Sequence, residues 1–298
     1  MKTRQRETMD AALVLKGISK WFYQPRLNRS TPVLATIDLT VRAREFISIV
    51  GPSGCDKTTL LHIVAGLLQP SGGQVLLNGK PVAGPGRDRA VVFQNAALLP
   101  WRTLVRNISY GLECLKVEHR EALSRAESWL DFVGLNGFGL HYPHELSGGM
   151  QQRANLAREL AVDPEVLLMD EPFASLDAQT REVMQGELLS IWERTRKTVV
   201  FVTHQISEAI YLADRVVVLS SRPARVQQVI EVDLPRPRDD SFRESTWFRE
   251  CEGLIRDLLR NGTGLSGVVS GRTATCGSDR QVAPPMGNRR PPSTSDGA

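Results

Sequence analysis

Long apolar runs are missing from this sequence. None approaches the ~20 residues that a membrane-spanning helix needs. The charged N-terminal residues are not followed by an apolar stretch, so no secretory signal peptide is expected. The four cysteines are scattered without a C-x-x-C pair, which disfavours a disulfide framework or a zinc site and fits a reducing cytoplasm. Any membrane role is therefore expected to come through a partner.

A strong excess of one charge is also missing. The 37 Lys and Arg residues against 33 Asp and Glu residues leave a net charge of +4, without a clustered basic patch. Nucleic-acid-binding proteins usually carry such a patch, so no nucleic-acid partner is predicted. The length of 298 residues suits one large domain, or one domain with a subdomain.

Alternating strand and helix patterns predict an α/β fold with a mostly parallel sheet. Half-buried strand patterns at residues 12–18 and 37–41 indicate an additional N-terminal β part, with a Pro/Asn/Arg/Ser-rich loop expected at residues 24–32. The continuous apolar run at residues 46–50 is typical of a buried central strand.

The middle of the chain has a helix-rich pattern that interrupts the alternation of strands and helices. Residues 96–146 show helical spacing without strands, which predicts a helical subdomain inserted into a main domain over residues 12–240. We expect an N-terminal extension at residues 1–11, a C-terminal helix at residues 241–260 and a disordered tail at residues 261–298.

A phosphate-binding P-loop is predicted where the buried strand at residues 46–50 meets a helix. Glycines there let backbone N–H groups point at phosphate oxygens, and a lysine and the helix N-terminus add positive charge. The expected pattern is G-x-x-x-x-G-K-[ST], and this chain has aspartate at the position of the second glycine. The predicted phosphate-binding residues are Gly51, Pro52, Ser53, Gly54, Cys55, Asp56, Lys57, Thr58 and Thr59.

Two further stretches have the character of ligand sites. Asp170 and Glu171 follow a predicted strand at residues 166–169, at the sheet edge where α/β proteins bind ligands. Asp170 can hold Mg²⁺ and Glu171 can polarise a water. A solvated acidic turn is the alternative, and the P-loop in the same chain disfavours it. Residues 147–149 (Ser-Gly-Gly) begin a predicted helix with free N–H groups, which is either a second anion site or a capped helix without a ligand.

Three single residues are weaker candidates. Gln94, at a predicted strand end, can contact Mg²⁺ or the attacking water, or is a surface glutamine. His204, at another strand end, can bind a γ-phosphate and hold Glu171, whereas a lone histidine is more often structural. Phe22 can stack on a base, but three consecutive aromatic residues are more often core and rim.

Together these residues resemble the ATP-binding subunit of an ABC transporter over residues 12–235. The resemblance depends on matched motifs in the order and spacing of the family: the P-loop, Gln94, Leu-Ser-Gly-Gly at residues 146–149, Asp170 with Glu171, Ala-Ser-Leu-Asp at residues 174–177, and His204. Leu-Ser-Gly-Gly is its most specific part. Residues 84–86, 91–95, 98–101, 171–178 and 232–238 resemble the nitrate, sulfonate and taurine importer ATPases, with the taurine type closest.

The resemblance implies a role in binding MgATP for each matched residue. Lys57 would contact the β- and γ-phosphates, Thr59 the α-phosphate, and Thr58 and Asp170 would hold Mg²⁺. Phe22 aligns with the aromatic residue that stacks on adenine.

The remaining matched residues would act in hydrolysis and across a dimer. Glu171 would be the general base, His204 would hold the γ-phosphate, and Gln94 would sense that phosphate at the metal. In a head-to-tail homodimer, the opposite subunit's ATP would be bound by Ser147, Gly148 and Gly149, while Asp177 would bridge the two copies.

The resemblance also implies partners and a location. The dimer would sit at the cytoplasmic face of the inner membrane, peripheral to integral permease subunits, with a periplasmic substrate-binding protein in the complex. A soluble ABC protein of repair or translation fits poorly, since there is no second cassette, no long coiled-coil insertion and no basic patch.

Asp56 leaves two hypotheses about this ATPase. A like charge about 4 Å from phosphate costs on the order of 4 kcal/mol at an effective dielectric of about 20. This predicts either an active importer ATPase or an impaired subunit with a structural or regulatory role. We expect Asp56→Gly to raise MgATP affinity at least about tenfold, equivalent to about 1.4 kcal/mol.

Overall fold

The structure is a computed structural model that describes residues 11–238, 240–261 and 274–275. The expected N-terminal extension and C-terminal tail therefore lie almost entirely outside the described residues. Among the helices of the described ranges, none is both long and apolar enough to cross a membrane.

A seven-stranded sheet forms the centre of the fold, in the order β11-β10-β9-β3-β8-β7-β6. The five strands from β9 to β6 are parallel to their neighbours, β10 is antiparallel to β9, and β11 pairs with β10 in parallel. The predicted mostly parallel α/β sheet is confirmed. Its strands are β3 (Phe46–Val50), β6 (Arg89–Val92), β7 (Val166–Asp170), β8 (Thr198–Val202), β9 (Arg215–Leu219), β10 (Val226–Glu231) and β11 (Ala274–Thr275).

An antiparallel sheet of order β2-β1-β4-β5 packs beside it. The prediction of a loop at residues 24–32 was wrong. Strands β1 and β2 extend into this region and are joined by a short 3-10 turn at Pro25–Leu27. Cross-strand pairs such as Phe22 with Thr31 extend the hairpin, since aromatic and β-branched residues favour strands. The strands are β1 (Ala11–Gln24), β2 (Arg29–Arg42), β4 (Gly72–Leu77) and β5 (Lys80–Pro81).

Eight α-helices are described, and four of them lie between β6 and β7. Within the stretch expected to be helical, two short helices over residues 104–108 and 110–114 meet at Ser109, which ends the first and begins the second. The helices are α1 (Lys57–Ala65), α2 (Leu104–Ile108), α3 (Tyr110–Cys114), α4 (His119–Phe132), α5 (Gly148–Ala161), α6 (Ala178–Thr195), α7 (Ile206–Leu212) and α8 (Thr246–Asn261).

The central strands are buried on both faces. In β7, Leu167 and Met169 face the core that includes helices α2 to α8, whereas Val166 and Leu168 face the core formed with α1 and the antiparallel sheet. This alternation follows from the two-residue period of a strand. Parallel pairing of β8 with β3 and with β7 places the carboxyl ends of the three strands side by side, which is where the candidate site lies.

Candidate functional site

The P-loop connects the end of β3 to the start of α1, which begins at Lys57. It borders a cavity of about 490 Å³ at the carboxyl edge of the sheet. The structure brings sequence-predicted residues from three strand ends together around this cavity. They are Ser53, Gly54, Asp56, Lys57, Thr58, Thr59, Glu171 and His204.

Lys57 is buried at the floor of the loop. Its Nζ atom lies 3.0 Å from the carbonyl oxygen of Gly51 and 3.3 Å from that of Pro52. No ion pair joins it to a carboxylate in the described part of the chain, so its positive charge is available to an anion in the cavity. Cys55, 4.0 Å from Nζ, is buried, and burial raises the pKa of its thiol. It is therefore a packing residue of the loop.

Thr58 and Asp170 form an oxygen pair suited to Mg²⁺. The Thr58 hydroxyl donates a hydrogen bond of 3.1 Å to Oδ1 of Asp170 at the end of β7. Burial raises the pKa of Asp170, and the bond from Thr58 acts in the opposite direction. The described residues contain no cluster of three or more His, Cys, Asp or Glu residues that could hold a metal. Two oxygen ligands from the protein suit a magnesium ion that takes its other ligands from phosphates and water.

Glu171 and His204 meet at the ends of the neighbouring strands β7 and β8. The His204 Nδ1 atom lies 2.9 Å from Oε2 of Glu171. Glu171 has a left-handed backbone with φ of 46°, and its N–H donates to the carbonyl oxygen of Val202 at 2.9 Å. A non-glycine residue held in this conformation is a common feature of functional sites. The carboxylate is therefore fixed at the cavity by its own backbone and by the imidazole.

Gln94 and Phe22 are among the predicted residues that do not line this cavity. Gln94 follows β6, is exposed, and its carbonyl oxygen accepts a 2.9 Å hydrogen bond from Nε2 of Gln152 on α5. Phe22 lies on the exposed part of the β1–β2 hairpin, where Nζ of Lys20 is 5.1 Å from the ring centroid. The predicted roles of Gln94 and Phe22 thus depend on surfaces other than the cavity.

The start of α5 lies outside the cavity as well. Ser147 caps the helix by accepting a hydrogen bond of 3.3 Å from the Met150 N–H, and Ser147 and Gly148 are exposed. A Cβ atom at Gly149 would meet Cγ2 of Thr180 at 3.2 Å, so glycine suits this close packing against α6. The cap that the sequence predicted is present, and it presents free N–H groups to solvent.

Asp177 caps α6 in the same way and is also exposed. Its carboxylate accepts a 3.0 Å hydrogen bond from the Thr180 N–H, and that bond holds the pKa of Asp177 below its usual range. The carboxylate is therefore a stable negative charge on the surface, which suits the predicted bridge to another subunit.

Comparison with known proteins decides the family. The family model described as ABC transporter matches residues 34–174. An ABC transporter ATP-binding protein of Methanocaldococcus jannaschii is 49% identical over 260 residues, covering 87% of this chain and 96% of the relative. The chain belongs to the ATP-binding proteins of the ABC transporter family. The taurine import ATP-binding protein TauB of Pseudomonas putida is 50% identical over 203 residues, covering 68% of this chain and 78% of TauB.

Solved structures agree with this assignment. The ATP-binding cassette MJ0796, in a dimeric post-hydrolysis state bound to ADP and Pi, matches with a TM-score of 0.65 and 30% identity. The match covers 75% of this chain and all of MJ0796. The expected P-loop NTPase cassette fold is thus confirmed, and so is the resemblance to the ABC family with taurine-type relatives.

A buried polar network behind the site of this ABC protein was not predicted. Glu208 on α7 accepts hydrogen bonds from the Thr203 hydroxyl and, at 3.0 Å, from Nε2 of Gln185 on α6. Gln185 in turn accepts a 2.6 Å bond from Nη2 of Arg243. Thr203 directly precedes His204, so the network supports the end of β8. In the sequence, only His204 at the strand end indicated this region.

Asp56, the residue that departs from the P-loop pattern, also has an unpredicted partner. Its carboxylate forms an ion pair with Arg222 in the turn between β9 and β10. The two residues are 166 positions apart, and no sequence motif links them.

Proposed function

We propose that this ABC protein is the ATP-hydrolysing, energy-coupling subunit of an importer for a small sulfonate-type anion. At the cavity, Lys57 would neutralise the β- and γ-phosphates and Thr59 would contact the α-phosphate. Thr58 and Asp170 would hold Mg²⁺, which supplies charge neutralisation when bound. Glu171 would take a proton from the attacking water. His204 would orient the Glu171 carboxylate and contact the γ-phosphate.

The observation that carries the dimeric part of the proposal is the exposed start of α5. Ser147 and Gly148 offer free N–H groups but do not line the cavity made by their own P-loop. A second copy, arranged head to tail, would place the γ-phosphate of its bound ATP on these groups. The same copy would contact the exposed Asp177. The dimeric form of MJ0796 supports this arrangement.

Transport would follow from closing and opening of that dimer. ATP held between the copies favours the closed form and hydrolysis removes that preference, so the helices between β6 and β7 would move with each cycle. The carbonyl oxygen of Gln94 bonds to Gln152 on α5, which links the sensing position to these movements. Integral permease subunits would convert the motion into import at the cytoplasmic face, with a periplasmic protein delivering the anion.

The taurine-type assignment is supported by the printed function of TauB relatives at 43–50% identity. The transported anion would not touch this subunit, so a transport assay must test it. The assay measures labelled taurine uptake by a TauB-deficient strain that keeps its permease and binding protein and expresses this chain. Restored taurine uptake is expected. The matched strain lacks the ATPase of a nitrate importer and keeps its other subunits. Restored nitrate uptake there, without restored taurine uptake, would contradict the taurine assignment.

The Glu171→Gln variant tests the ATPase and the dimer. We expect hydrolysis to fall about 10²- to 10⁴-fold, as for loss of a general base, while MgATP traps a dimer on sizing. The matched control is Glu127→Gln on the exposed face of α4, which should hydrolyse ATP like the parent and remain monomeric after turnover. A Glu171→Gln variant that binds MgATP but stays monomeric would contradict the head-to-tail model.

A further inference from the structure

Asp56 places a carboxylate at the phosphate cavity. It directly precedes α1 with a left-handed backbone, φ 69° and ψ 34°, and it lines the cavity. Glycine adopts this conformation without steric cost, and aspartate is one of the few other residues that tolerate it. The loop therefore keeps a P-loop conformation while carrying a negative charge that the pattern does not contain.

Both oxygens of this carboxylate are occupied. Arg222 donates from Nη2 to Oδ1 at 2.9 Å and from Nε to Oδ2, a two-pronged arrangement that fixes the carboxylate plane. The Thr59 hydroxyl adds a 3.2 Å bond to Oδ1. Lys57 is not drawn into the cluster, because its ammonium bonds to the carbonyl oxygens of Gly51 and Pro52. The charge of Asp56 is thus balanced without using the phosphate-binding lysine.

Arg222 reaches Asp56 from an anchored turn. The backbone N–H of Ser220 donates a 3.0 Å hydrogen bond to the carbonyl oxygen of Arg225, and this bond closes the turn. Buried Ala224 donates to the carbonyl oxygen of Val33 and accepts from the N–H of Ala35, both at 2.9 Å. These bonds join the turn to the antiparallel sheet. The guanidinium therefore extends from a backbone that is fixed on both sides.

The ion pair is placed better for charge balance than for folding stability. The Arg222 side chain is 51% exposed and that of Asp56 is 11% exposed, so solvent reaches the pair from the arginine side and limits its contribution to stability. An unpaired carboxylate at the same place would repel every phosphate that enters the cavity. We propose that Arg222 is a positioning residue that holds and neutralises the Asp56 carboxylate, so that a P-loop with aspartate in place of glycine still binds MgATP.

The pair revises the gain expected from Asp56→Gly. The sequence-based expectation of at least tenfold treated the carboxylate as unpaired. With Arg222 supplying a counter-charge, that substitution alone should raise MgATP affinity only about two- to threefold. Removing Arg222 should have the larger effect, because it leaves the carboxylate uncompensated next to the phosphates.

A double-mutant cycle tests the inference, which rests on the proposed MgATP binding. We would titrate a fluorescent MgATP analogue into the parent, Arg222→Ala, Asp56→Gly and the double variant. Arg222→Ala should weaken binding about five- to tenfold in the parent and less than about twofold in the Asp56→Gly background. The loss should shrink in 0.5 M salt, and kcat at saturating MgATP should stay within about twofold.

Variants at the same position separate charge from structure. Arg222→Lys should recover part of the affinity, since it keeps the charge without the fork, and Arg222→Glu should bind more weakly than Arg222→Ala. The control Arg225→Ala removes an exposed arginine three residues further on that pairs with no described carboxylate, and it should bind like the parent.

Two results would overturn the inference. Equal losses from Arg222→Ala in both backgrounds would show that Arg222 does not act through Asp56. Unchanged affinity of Arg222→Ala in the parent would show that the carboxylate needs no compensation. If no variant binds MgATP, including Asp56→Gly, the proposed function itself fails. Urea unfolding of the four nucleotide-free proteins checks that each is folded, so that a loss of binding is not a loss of structure.

Discussion

Oε2 of Glu171 lies 2.9 Å from Nδ1 of His204, across the ends of two adjacent parallel strands. Glu171 is held by its left-handed backbone and His204 by the strand end that the Thr203–Glu208 bond supports. The pair is therefore a preformed unit at the cavity, and its two members should not act independently.

The first prediction concerns this unit. His204→Ala should lower kcat about hundredfold, because the carboxylate loses the group that orients it. In the Glu171→Gln background the same change should cost less than about threefold, since residues acting as a unit are strongly non-additive. Single-turnover phosphate release measures both effects. Full additivity would show that His204 acts on the phosphate without Glu171.

The second prediction concerns the Thr58–Asp170 oxygen pair. Thr58→Val keeps the shape of the side chain but removes the hydroxyl that bonds to Asp170 at 3.1 Å. We expect the Mg²⁺ concentration that gives half-maximal hydrolysis to rise at least about tenfold. This is in the range of affinity losses seen when groups around a metal site are removed. Thr58→Ser retains the hydroxyl and is the matched control. Identical Mg²⁺ titrations of the valine and serine variants would contradict the assignment.

The third prediction concerns the pH dependence of stability through Glu208. Burial raises the pKa of this carboxyl, although the bonds from Thr203 and Gln185 oppose the shift. The folded state therefore binds the proton more tightly than the unfolded state, whose pKa is about 4.3. The resulting stability is present below that pH and is lost as pH rises through the higher folded pKa.

Glu208→Gln removes the titration with little change of shape. Relative to this variant, the parent should lose free energy of unfolding as the pH is raised from about 4.3, until the folded pKa is passed. Urea unfolding of both proteins between pH 4.5 and 8 measures the difference. A difference that grows in the opposite direction, with the parent gaining stability at higher pH, would contradict the raised pKa.

The predictable part of this protein is the part that local pattern controls. The apolar runs of β3, β7 and β8 predicted the parallel sheet, and its edge then brought Lys57, Asp170, Glu171 and His204 together. The β1–β2 hairpin was missed because pairing between strands outweighed the Pro, Asn and Ser residues around position 28.

Contacts between distant segments were beyond the sequence. The Asp56–Arg222 pair and the Arg243–Gln185 bond join residues 166 and 58 positions apart, and neither arginine lies in a motif. The sequence shows that Asp56 adds a negative charge to the P-loop, but it does not show that the Arg222 guanidinium neutralises that charge. The P-loop pattern alone therefore assigns Asp56 a repulsion that the charge of Arg222 opposes in the folded protein.

The last prediction concerns α8, which covers one side of the core that includes α7. Ile255 and Cys251 are fully buried on its inner face, whereas Asp257 is exposed on the outer face. Ile255→Ala should lower the free energy of unfolding by about 2–5 kcal/mol, as for other buried isoleucines, because packed neighbours leave a cavity. Asp257→Ala should change it by less than about 0.5 kcal/mol. Equal urea midpoints for the two variants would show that α8 does not share the main core, because a docked helix cannot lose a buried isoleucine without cost.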